Sequence, residues 1–260
     1  MASGIYTSMS GAHMQEQRLE TLSNNLANAN TPGFKRHEAL YRQAHNDATK
    51  LGDPNQALGV HHPVRFLPED RLPGLIDERW THWSQGSMKV TDNNFDVGLE
   101  GEGFLAVQGP NDQPLYTRNG ALRLQSDGTL VNGDGLALLD DTGKTIQVIG
   151  DRGRFHVSED GVVQVGDETL GKLNIVTFDD LQPLERLGGS LYRHPDPNVQ
   201  PRPTTDVTVH QGFLEGANVN PVYTMTLLIK TNRIFELNTR AMQAYKAMDQ
   251  SAIQNVGRNG

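Results

Sequence analysis

Apolar side chains recur at helical spacing near the start of the chain. Intervals of three, four or seven place them on one narrow stripe, which is typical of the seam of a coiled coil. We predict a helix from about Ser3 to Asn28, with Ser3 as its N-cap. The stripe consists of Ile5, Met9, Ala12, Leu19, Leu22 and Leu26. Such a helix needs a partner, because isolated amphipathic helices are stabilised mainly by packing.

A second long amphipathic segment lies at the far end of the chain. It begins at Asn220-Pro221, an N-cap residue followed by the proline that suits the first helical position, and runs to about Val256. Its apolar positions are Leu227, Ile234, Leu237, Ala241, Ala244, Met248 and Ala252. We therefore predict long terminal helices that pair as a coiled coil, with the rest of the chain inserted between them.

The inserted region from about Trp80 to Gln211 has the pattern of β structure. Apolar residues alternate at Phe95, Val97 and Leu99, at Leu122 and Leu124, at Ile146 and Val148, and at Val207 and Val209. Between these runs stand pairs that supply positive φ at low cost, namely Asn119-Gly120, Asp127-Gly128, Asn132-Gly133, Asp134-Gly135, Thr142-Gly143 and Asp160-Gly161. The fold class is therefore mainly β, an antiparallel β domain between terminal α-helices.

Residues 38–79 show no sustained periodicity, because prolines and glycines interrupt every candidate element. We interpret them as an extended arm that contacts neighbouring molecules. The pair His61-His62 in this arm is better explained as exposed loop histidines than as metal ligands, since adjacent histidines lack ligand spacing on one helix face. The expected domains are residues 1–37 with 212–260 as the helical part, 38–79 as the arm and 80–211 as the β part.

Composition narrows the function further. The formal charge of −8 argues against nucleic acid as a partner, and the absence of cysteine excludes disulfides and thiolate metal sites. No apolar run approaches the roughly 18 residues of a membrane span, and no cleavable secretory signal is visible. Taken alone, these features would predict a cytoplasmic protein.

Candidate catalytic motifs do not survive inspection. The stretch Gly101–Ala106 fits a loose dinucleotide fingerprint, but Phe104–Val107 is predicted to be a strand where that fingerprint needs a helix. The acidic residues near the turns lack the spacing of a calcium loop, and no Gly-x-Ser-x-Gly elbow marks a nucleophile. We expect no enzyme activity, no cofactor and no metal.

Three stretches resemble the signatures of the bacterial flagellar rod and hook family. The first is Ser23–Lys35, with Asn24, Asn25, Leu26, Asn28, Asn30, Thr31, Gly33 and Phe34 as its motif residues. The second is Gln211–Pro221, which contains Asn218, Val219 and Asn220. The third is Gly101–Val107 followed by Tyr116-Thr117-Arg118-Asn119-Gly120. They occur in the order that the family shows, so the resemblance spans nearly the whole chain.

The resemblance implies a structural subunit of the flagellar basal-body rod that polymerises through its terminal helices into a hollow helical drive shaft and export channel. Ile5, Met9, Leu19, Leu22, Leu26, Leu227, Ile234, Leu237 and Met248 would then be the subunit-packing residues. Its partners would be further copies, other flagellar rod proteins and the flagellar type III export apparatus. It would lie in the rod within the periplasm, exported without a cleaved signal peptide, which overrides the cytoplasmic prediction.

Two alternatives remain at this point. The proximal-rod (FlgF) type of the family matches best, partly through Gly4–Gly11, with the distal-rod (FlgG) type close behind. A β-domain binding module with oligomerising helices is the other alternative. Its activity would survive removal of the helices, whereas that of a rod subunit would not.

Overall fold

The computed structural model describes residues 2–42, 75–110, 113–148, 155–204 and 206–258. Most of the predicted arm, including His61 and His62, lies outside these residues, as does the side chain of Ala252. The chain divides into two compact units. A helical unit comprises Met1–Asn24, His37–Trp80 and Val222–Gly260, and a β unit comprises Asn25–Arg36 and Thr81–Pro221.

The unit boundaries differ from the expected ones at residues 37 and 212. The segments 25–36 and 212–221 belong to the β unit rather than to the helical part. Phe34, Lys35, Glu215 and Val219 are all buried. The two segments belong to the β unit because they supply buried side chains to its interior.

The helical unit contains both predicted helices. α1 runs from Ala2 to Ala27 and α2 from Pro221 to Arg258, within two residues of the predicted ends. The two helices approach each other at Gly11, where a Cβ would lie 3.2 Å from Nδ2 of Asn238. The glycine thus permits the close approach of a polar side chain from α2.

The described ends of the predicted arm are strands. β1 (His37–Arg42) and β2 (Leu75–Thr81) pair in a two-stranded sheet. The prediction of an extended loop is therefore wrong for residues 38–42 and 75–79. Two short runs form strands through backbone hydrogen bonds to each other, and the irregular composition of the segment gives no local signal for this pairing.

The β unit is built from short antiparallel strands. The strands are β3 (Met88–Val90), β4 (Val97–Glu100), β5 (Phe104–Gln108), β6 (Pro114–Thr117), β7 (Arg123–Leu124), β8 (Leu130–Val131), β9 (Phe155–Val157), β10 (Val162–Val165), β11 (Glu168–Lys172), β12 (Ile175–Thr177), β13 (Glu185–Gly188), β14 (Leu191–Arg193), β15 (Arg202–Pro203), β16 (Thr208–Gln211) and β17 (Phe213–Glu215).

These strands form one larger sheet and several small ones. The larger sheet has the order β13-β14-β6-β5-β12-β15. A three-stranded sheet has the order β11-β10-β9, and the pairs β16-β4, β17-β3 and β7-β8 complete the unit. The pairings β16-β4 and β17-β3 matter most for the site below, because they join the last strands of the unit to its first ones.

The core of the β unit lies on both faces of β5. Leu105 and Val107 belong to a large aliphatic cluster, whereas Phe104 and Ala106 belong to a second, aromatic cluster. Successive side chains of a strand point to opposite faces, so a strand buried on both sides is a continuous apolar run. This confirms Phe104–Val107 as a strand and explains why it does not alternate.

The predicted turns are confirmed at the Asp-Gly and Thr-Gly pairs but not at the Asn-Gly pairs. Gly128, Gly135, Gly143 and Gly161 have positive φ as predicted. The prediction is wrong for the two Asn-Gly pairs, since Gly120 and Gly133 are not in that conformation. Gly120 is required for a different reason, because a Cβ there would lie 1.7 Å from the carbonyl oxygen of Val97.

Candidate functional site

The segment after α1 turns sharply within the first signature. The amides of Ala29 and Thr31 donate to the carbonyls of Leu26 and Asn28 at 3.2 and 3.0 Å. The Thr31 hydroxyl also donates to Oδ1 of Asn28 at 3.3 Å. Asn and Thr side chains offer such local bonds as an alternative to the helix, so these motif residues help to end α1.

Gly33 allows the chain to pass against the backbone of the third signature. Its φ is +69°, and a Cβ would lie 2.4 Å from the carbonyl carbon of Arg118. Its amide donates to the carbonyl of Glu215 at 2.8 Å. An L side chain is disfavoured here both by the left-handed conformation and by the missing space.

Phe34 anchors the same segment through its ring. The side chain is fully buried, and the guanidinium carbon of Arg186 lies 4.0 Å from the ring centroid. A cation at this distance over an aromatic face is attracted by the ring quadrupole. The phenylalanine of the motif is therefore an interior anchor and not a surface residue.

The next residue, Lys35, takes part in a buried group of three charges. Nζ of Lys35 lies 2.6 Å from Oε1 of Glu215, and Nε of Arg118 lies 2.9 Å from Oε2 of the same carboxylate. The three side chains are 2%, 4% and 0% exposed in the order Lys35, Arg118 and Glu215. We call Lys35, Arg118 and Glu215 the ionic junction, and each belongs to one of the three signatures.

Backbone groups complete the hydrogen bonds of the ionic junction. The amide of Gly86 donates to Oε1 of Glu215 at 2.8 Å, and Nζ of Lys35 donates to the carbonyl of Ser84 at 2.9 Å. Nη1 of Arg118 donates to the carbonyls of Gly101 and Gly103 at 2.8 and 2.5 Å. Each charge thus has more than one partner, which burial of charged groups requires.

The charges of the ionic junction do not balance. Two cations share one carboxylate. Burial lowers the pKa of Lys35 below its usual value, because desolvation penalises the ammonium form more than Glu215 stabilises it, and Arg118 acts in the same direction as burial. The cluster therefore contains one positive charge that its own carboxylate does not neutralise.

Asn218 of the second signature ties three segments together. Its Oδ1 accepts from the amide of Arg36 at 2.7 Å, and its Nδ2 donates to the carbonyls of His82 and Ser84 at 2.6 and 3.0 Å. Its own amide donates to the carbonyl of Phe34 at 3.2 Å. The segments at 33–36, 82–86 and 215–218 are thus joined side by side.

The remaining motif residues have mixed exposure. Asn25 and Val219 are buried, whereas Asn24, Asn30 and Asn220 are exposed. α2 begins at Pro221, directly after Asn220, as the predicted N-cap requires.

The predicted packing residues of α1 also differ in exposure. Leu22 is buried, Ile5, Leu19 and Leu26 are half-buried, and Met9 is 59% exposed. Most of the stripe is at least half-buried, whereas Met9 stays exposed although its spacing places it on the same side of the helix.

The predicted packing residues of α2 differ in exposure. Leu227 and Ile234 are half-buried, whereas Leu237 and Met248 are 63% and 57% exposed. The most buried described positions of α2 are Thr224 and Thr231, seven residues apart. The inward side of this helix is therefore partly polar, and much of its apolar surface points outward.

Several large apolar side chains of α2 are exposed. They are Val222, Tyr223, Met225, Ile229, Leu237 and Met248. We call these six residues the outward face of α2. Exposed large apolar side chains repeated along one helix are candidate contacts for a partner.

Two other kinds of site are not seen in the described part of the chain. No group of three potential metal-ligating side chains occurs there. Neither described helix is apolar enough over sufficient length to cross a membrane.

Sequence reasoning missed the ionic junction although all three residues stand in the quoted signatures. Lys35 follows Gly33-Phe34, Arg118 precedes Asn119-Gly120, and Glu215 follows Phe213-Leu214. A charged residue inside an otherwise apolar or turn-forming stretch was the available signal. Their pairing depends on contacts over 97 and 180 residues of sequence, which no local pattern contains.

Three family descriptions match the chain. "Flagella basal body rod protein" covers residues 5–35, "Flagellar hook protein FlgE/F/G D1 domain" covers 98–165, and "Flagellar basal body rod FlgEFG protein C-terminal" covers 210–255. The first and third include the two terminal signatures, and the second includes Arg118.

Curated relatives are similar over nearly their whole length. The flagellar basal-body rod protein FlgF of Caulobacter vibrioides is 32% identical over 99% of this chain and 99% of its own. FlgF of Rhizobium meliloti is 30% identical, again over 99% of both. The rod protein FlgG of Buchnera aphidicola subsp. Acyrthosiphon pisum is 29% identical over 98% of this chain and 100% of its own.

The three signatures meet at one buried junction, the family descriptions fall on those signatures, and a full-length relative shares nearly a third of its residues with this chain. The chain belongs to the flagellar basal-body rod protein family, a family of structural proteins of the flagellum and not of enzymes.

Proposed function

We propose that the chain polymerises through its terminal helices into the hollow helical shaft of the flagellar rod. The observation that supports this most directly is the outward face of α2, where six large apolar side chains are exposed in a single copy. Burying one such side chain contributes roughly 1.5–3 kcal/mol. Contacts between non-equivalent surfaces that do not close on themselves produce helical polymers, so a repeated contact of this face would extend a shaft.

Coiled-coil pairing of α1 with α2 is part of the same proposal. The approach of Asn238 to Gly11 and the burial of Ala12, Leu22, Thr224 and Thr231 support it. A heptad relation between Thr224, Thr231 and Asn238 is the spacing that a two-helix seam uses. The inward side of α2 would then serve its own α1, and the outward face would serve neighbours.

The exposed charges of the helices complement each other in sign. Among the side chains that the structure describes, those of α2 are mostly basic, namely Lys230, Arg233, Arg240 and Lys246 against Glu236. Those of α1 are mostly acidic, namely Glu16 and Glu20 against Arg18. Complementary charge steers association and sets orientation more than it adds affinity. This favours contacts of α2 in one copy with α1 in the next over contacts between two copies of α2.

Export and location complete the proposal. We place the subunit in the periplasmic part of the rod, delivered by the flagellar type III export apparatus with its N-terminal segment retained. The support is that full-length relatives of this chain are flagellar basal-body rod proteins. We favour the proximal-rod type, since FlgF proteins are among the relatives at 30% identity or more.

The test uses Leu237, because its exposure lets a charge enter without disturbing the monomer. In a motile strain that carries the gene as its sole copy, Leu237→Asp should abolish motility and stop rod assembly. An unpaired charge buried between subunits costs several kcal/mol at every repeat of the polymer. Gln243→Asp, which adds the same charge at an exposed polar position of α2, is the matched control and should remain motile.

Normal rods and swimming in the Leu237→Asp strain would contradict the proposal. Electron microscopy of purified basal bodies gives the assembly result, and immunoblotting of the same fractions shows whether the variant is present but not incorporated. If the Gln243→Asp strain loses motility as well, the defect comes from added negative charge on α2 and not from the exposed apolar side chains.

A further inference from the structure

Lys35 is buried in a cluster where cations outnumber anions. It is 2% exposed and lies beside a carboxylate that Arg118 already pairs, so it is the second cation on one anion. Replacing a buried ion pair by apolar groups is often neutral or stabilising, whereas leaving one charge unpaired is costly. Without Lys35, one cation and one anion would remain, Arg118 and Glu215. Of the three charges, that of Lys35 should therefore contribute least to the free energy of unfolding.

Lys35 is the charged side chain of a segment that Gly33, Phe34 and Asn218 also hold in place. Residues 28–36 are rich in Asn, Thr, Pro and Gly, which form turns but do not define a register by alternation. The backbone bonds of this segment run to Glu215 and Asn218, about 180 residues further along the chain. A side chain that can be buried in only one place gives such a segment a unique position.

We propose that Lys35 is a positioning residue, which restricts the segment 33–36 to one register against 82–86 and 215–218 without adding to the stability of the β unit. A slipped register would bury the ammonium group away from Glu215 and from the carbonyl of Ser84. Buried polar groups have this role of selecting one arrangement in some other folds. In this chain the arrangement selected is the placement of residues 33–36 within the β unit. The inference concerns the isolated subunit and does not depend on the proposed function.

Four amides report the register directly. Those of Gly33 and Asn218 donate to the carbonyls of Glu215 and Phe34, and that of His82 donates to the carbonyl of Arg36. The amide of Arg36 donates to Oδ1 of Asn218. Hydrogen exchange of these four amides measures how often the segment leaves its native position.

The experiment compares Lys35→Met with the wild-type full-length chain by denaturant unfolding and by amide hydrogen exchange in NMR. The unfolding midpoint of Lys35→Met should equal or exceed that of the wild type. The four reporter amides should exchange at least tenfold faster, while the amides of Leu130 and Leu138 in the aliphatic core keep their rates. Lys172→Met is the matched control, because it removes an exposed lysine, and it should change neither measurement.

Two results would overturn the proposal. A midpoint clearly below that of the wild type would make Lys35 a stabilising partner of Glu215. An unchanged midpoint with unchanged exchange of the four amides would mean that Gly33, Phe34 and Asn218 already fix the register. Selective ¹⁵N-glycine labelling adds an independent readout, since a second register would give Gly33, Gly86 and Gly216 additional resonances in the variant only.

Discussion

Charged groups lie inside the β unit, whereas large apolar side chains lie on the surface of α2. In the ionic junction, every charge has a partner of opposite sign or a backbone carbonyl or amide. On the outward face of α2, six large apolar side chains stay exposed to solvent in the single copy. In a single copy, the charges of the ionic junction all have partners, whereas the apolar side chains of the outward face remain in contact with water. The charged residues of the three signatures thus serve the fold of the subunit, and under the proposed function the surface that serves assembly lies beyond them on α2.

The largest effect should come from removing the only anion of the ionic junction. Glu215→Gln would leave Lys35 and Arg118 buried side by side without a counter-charge. Breaking a buried pair from one side costs about 3–5 kcal/mol, so we expect a loss of this size in the free energy of unfolding of the β unit. Guanidinium titration followed by the fluorescence of Trp83, which packs against the aromatic cluster, measures it.

Glu102→Gln provides the matched control for that substitution, because Glu102 is exposed. Surface changes of this kind usually stay within about 0.5 kcal/mol. A Glu215→Gln protein as stable as the Glu102→Gln protein would show that the cations of the ionic junction are not confined by burial.

Gly33→Ala should give the next largest effect. A left-handed conformation costs an L residue about 1–2 kcal/mol, and the contact with the Arg118 backbone adds an overpacking cost of about 1–3 kcal/mol. Gly135→Ala is the control that separates the two causes, since Gly135 also has positive φ but has nothing within 4 Å of the place where a Cβ would stand. Equal losses for the two variants in thermal unfolding would exclude the close approach as a cause.

Tyr192→Phe should act only at high pH. Burial raises the pKa of Tyr192 to about 12, against 10.0 for an ordinary tyrosine. Between these values the folded chain keeps a proton that the unfolded chain loses, so the stability present below pH 10 falls as the pH rises toward 12. A shift of this size corresponds to roughly 2–3 kcal/mol at the upper end.

The phenylalanine variant should therefore lose stability less steeply than the wild type between pH 10 and 12. At pH 7 the substitution should be nearly neutral, because the buried hydroxyl makes at most a weak contact with the backbone of Lys35. Urea titrations at pH 7, 10 and 11.5 check both expectations. Parallel pH profiles for the two proteins would rule out a buried phenol that ionises only on unfolding.

The smallest effect on the monomer belongs to Leu237→Asp. The side chain is exposed in the single copy, so the free energy of unfolding should change by less than about 0.5 kcal/mol. The comparison between regions predicts a reversal here, because the substitution that matters least to the isolated subunit matters most to assembly. A large destabilisation of the isolated protein would instead place Leu237 in an intramolecular contact.

Much of the fold followed from local patterns. The helical periodicity gave α1 and α2 within two residues of their ends, and the alternating residues Val97, Leu99, Ile146, Val148 and Val209 are all in the aliphatic core. The Asp-Gly and Thr-Gly pairs lie in the expected turns because that turn chemistry is a property of adjacent residues. The run Leu181–Leu187 has the local pattern of a short helical turn. Its first part does form one turn, in which the amide of Leu184 donates to the carbonyl of Leu181 at 3.3 Å, and its last part is strand because β13 pairs with β14.

What the sequence alone determined is therefore the two helices, the Asp-Gly and Thr-Gly turns and the family, since periodicity, turn chemistry and signatures are all local. The tertiary structure decided which side of α2 is inward, because α2 has apolar residues on two sides and only contact with the rest of its unit distinguishes them. It also decided that Lys35, Arg118 and Glu215 form one buried cluster, with pairs separated by 97 and 180 residues. The physical reason is the same in both cases: burial and charge pairing depend on which distant segments come together.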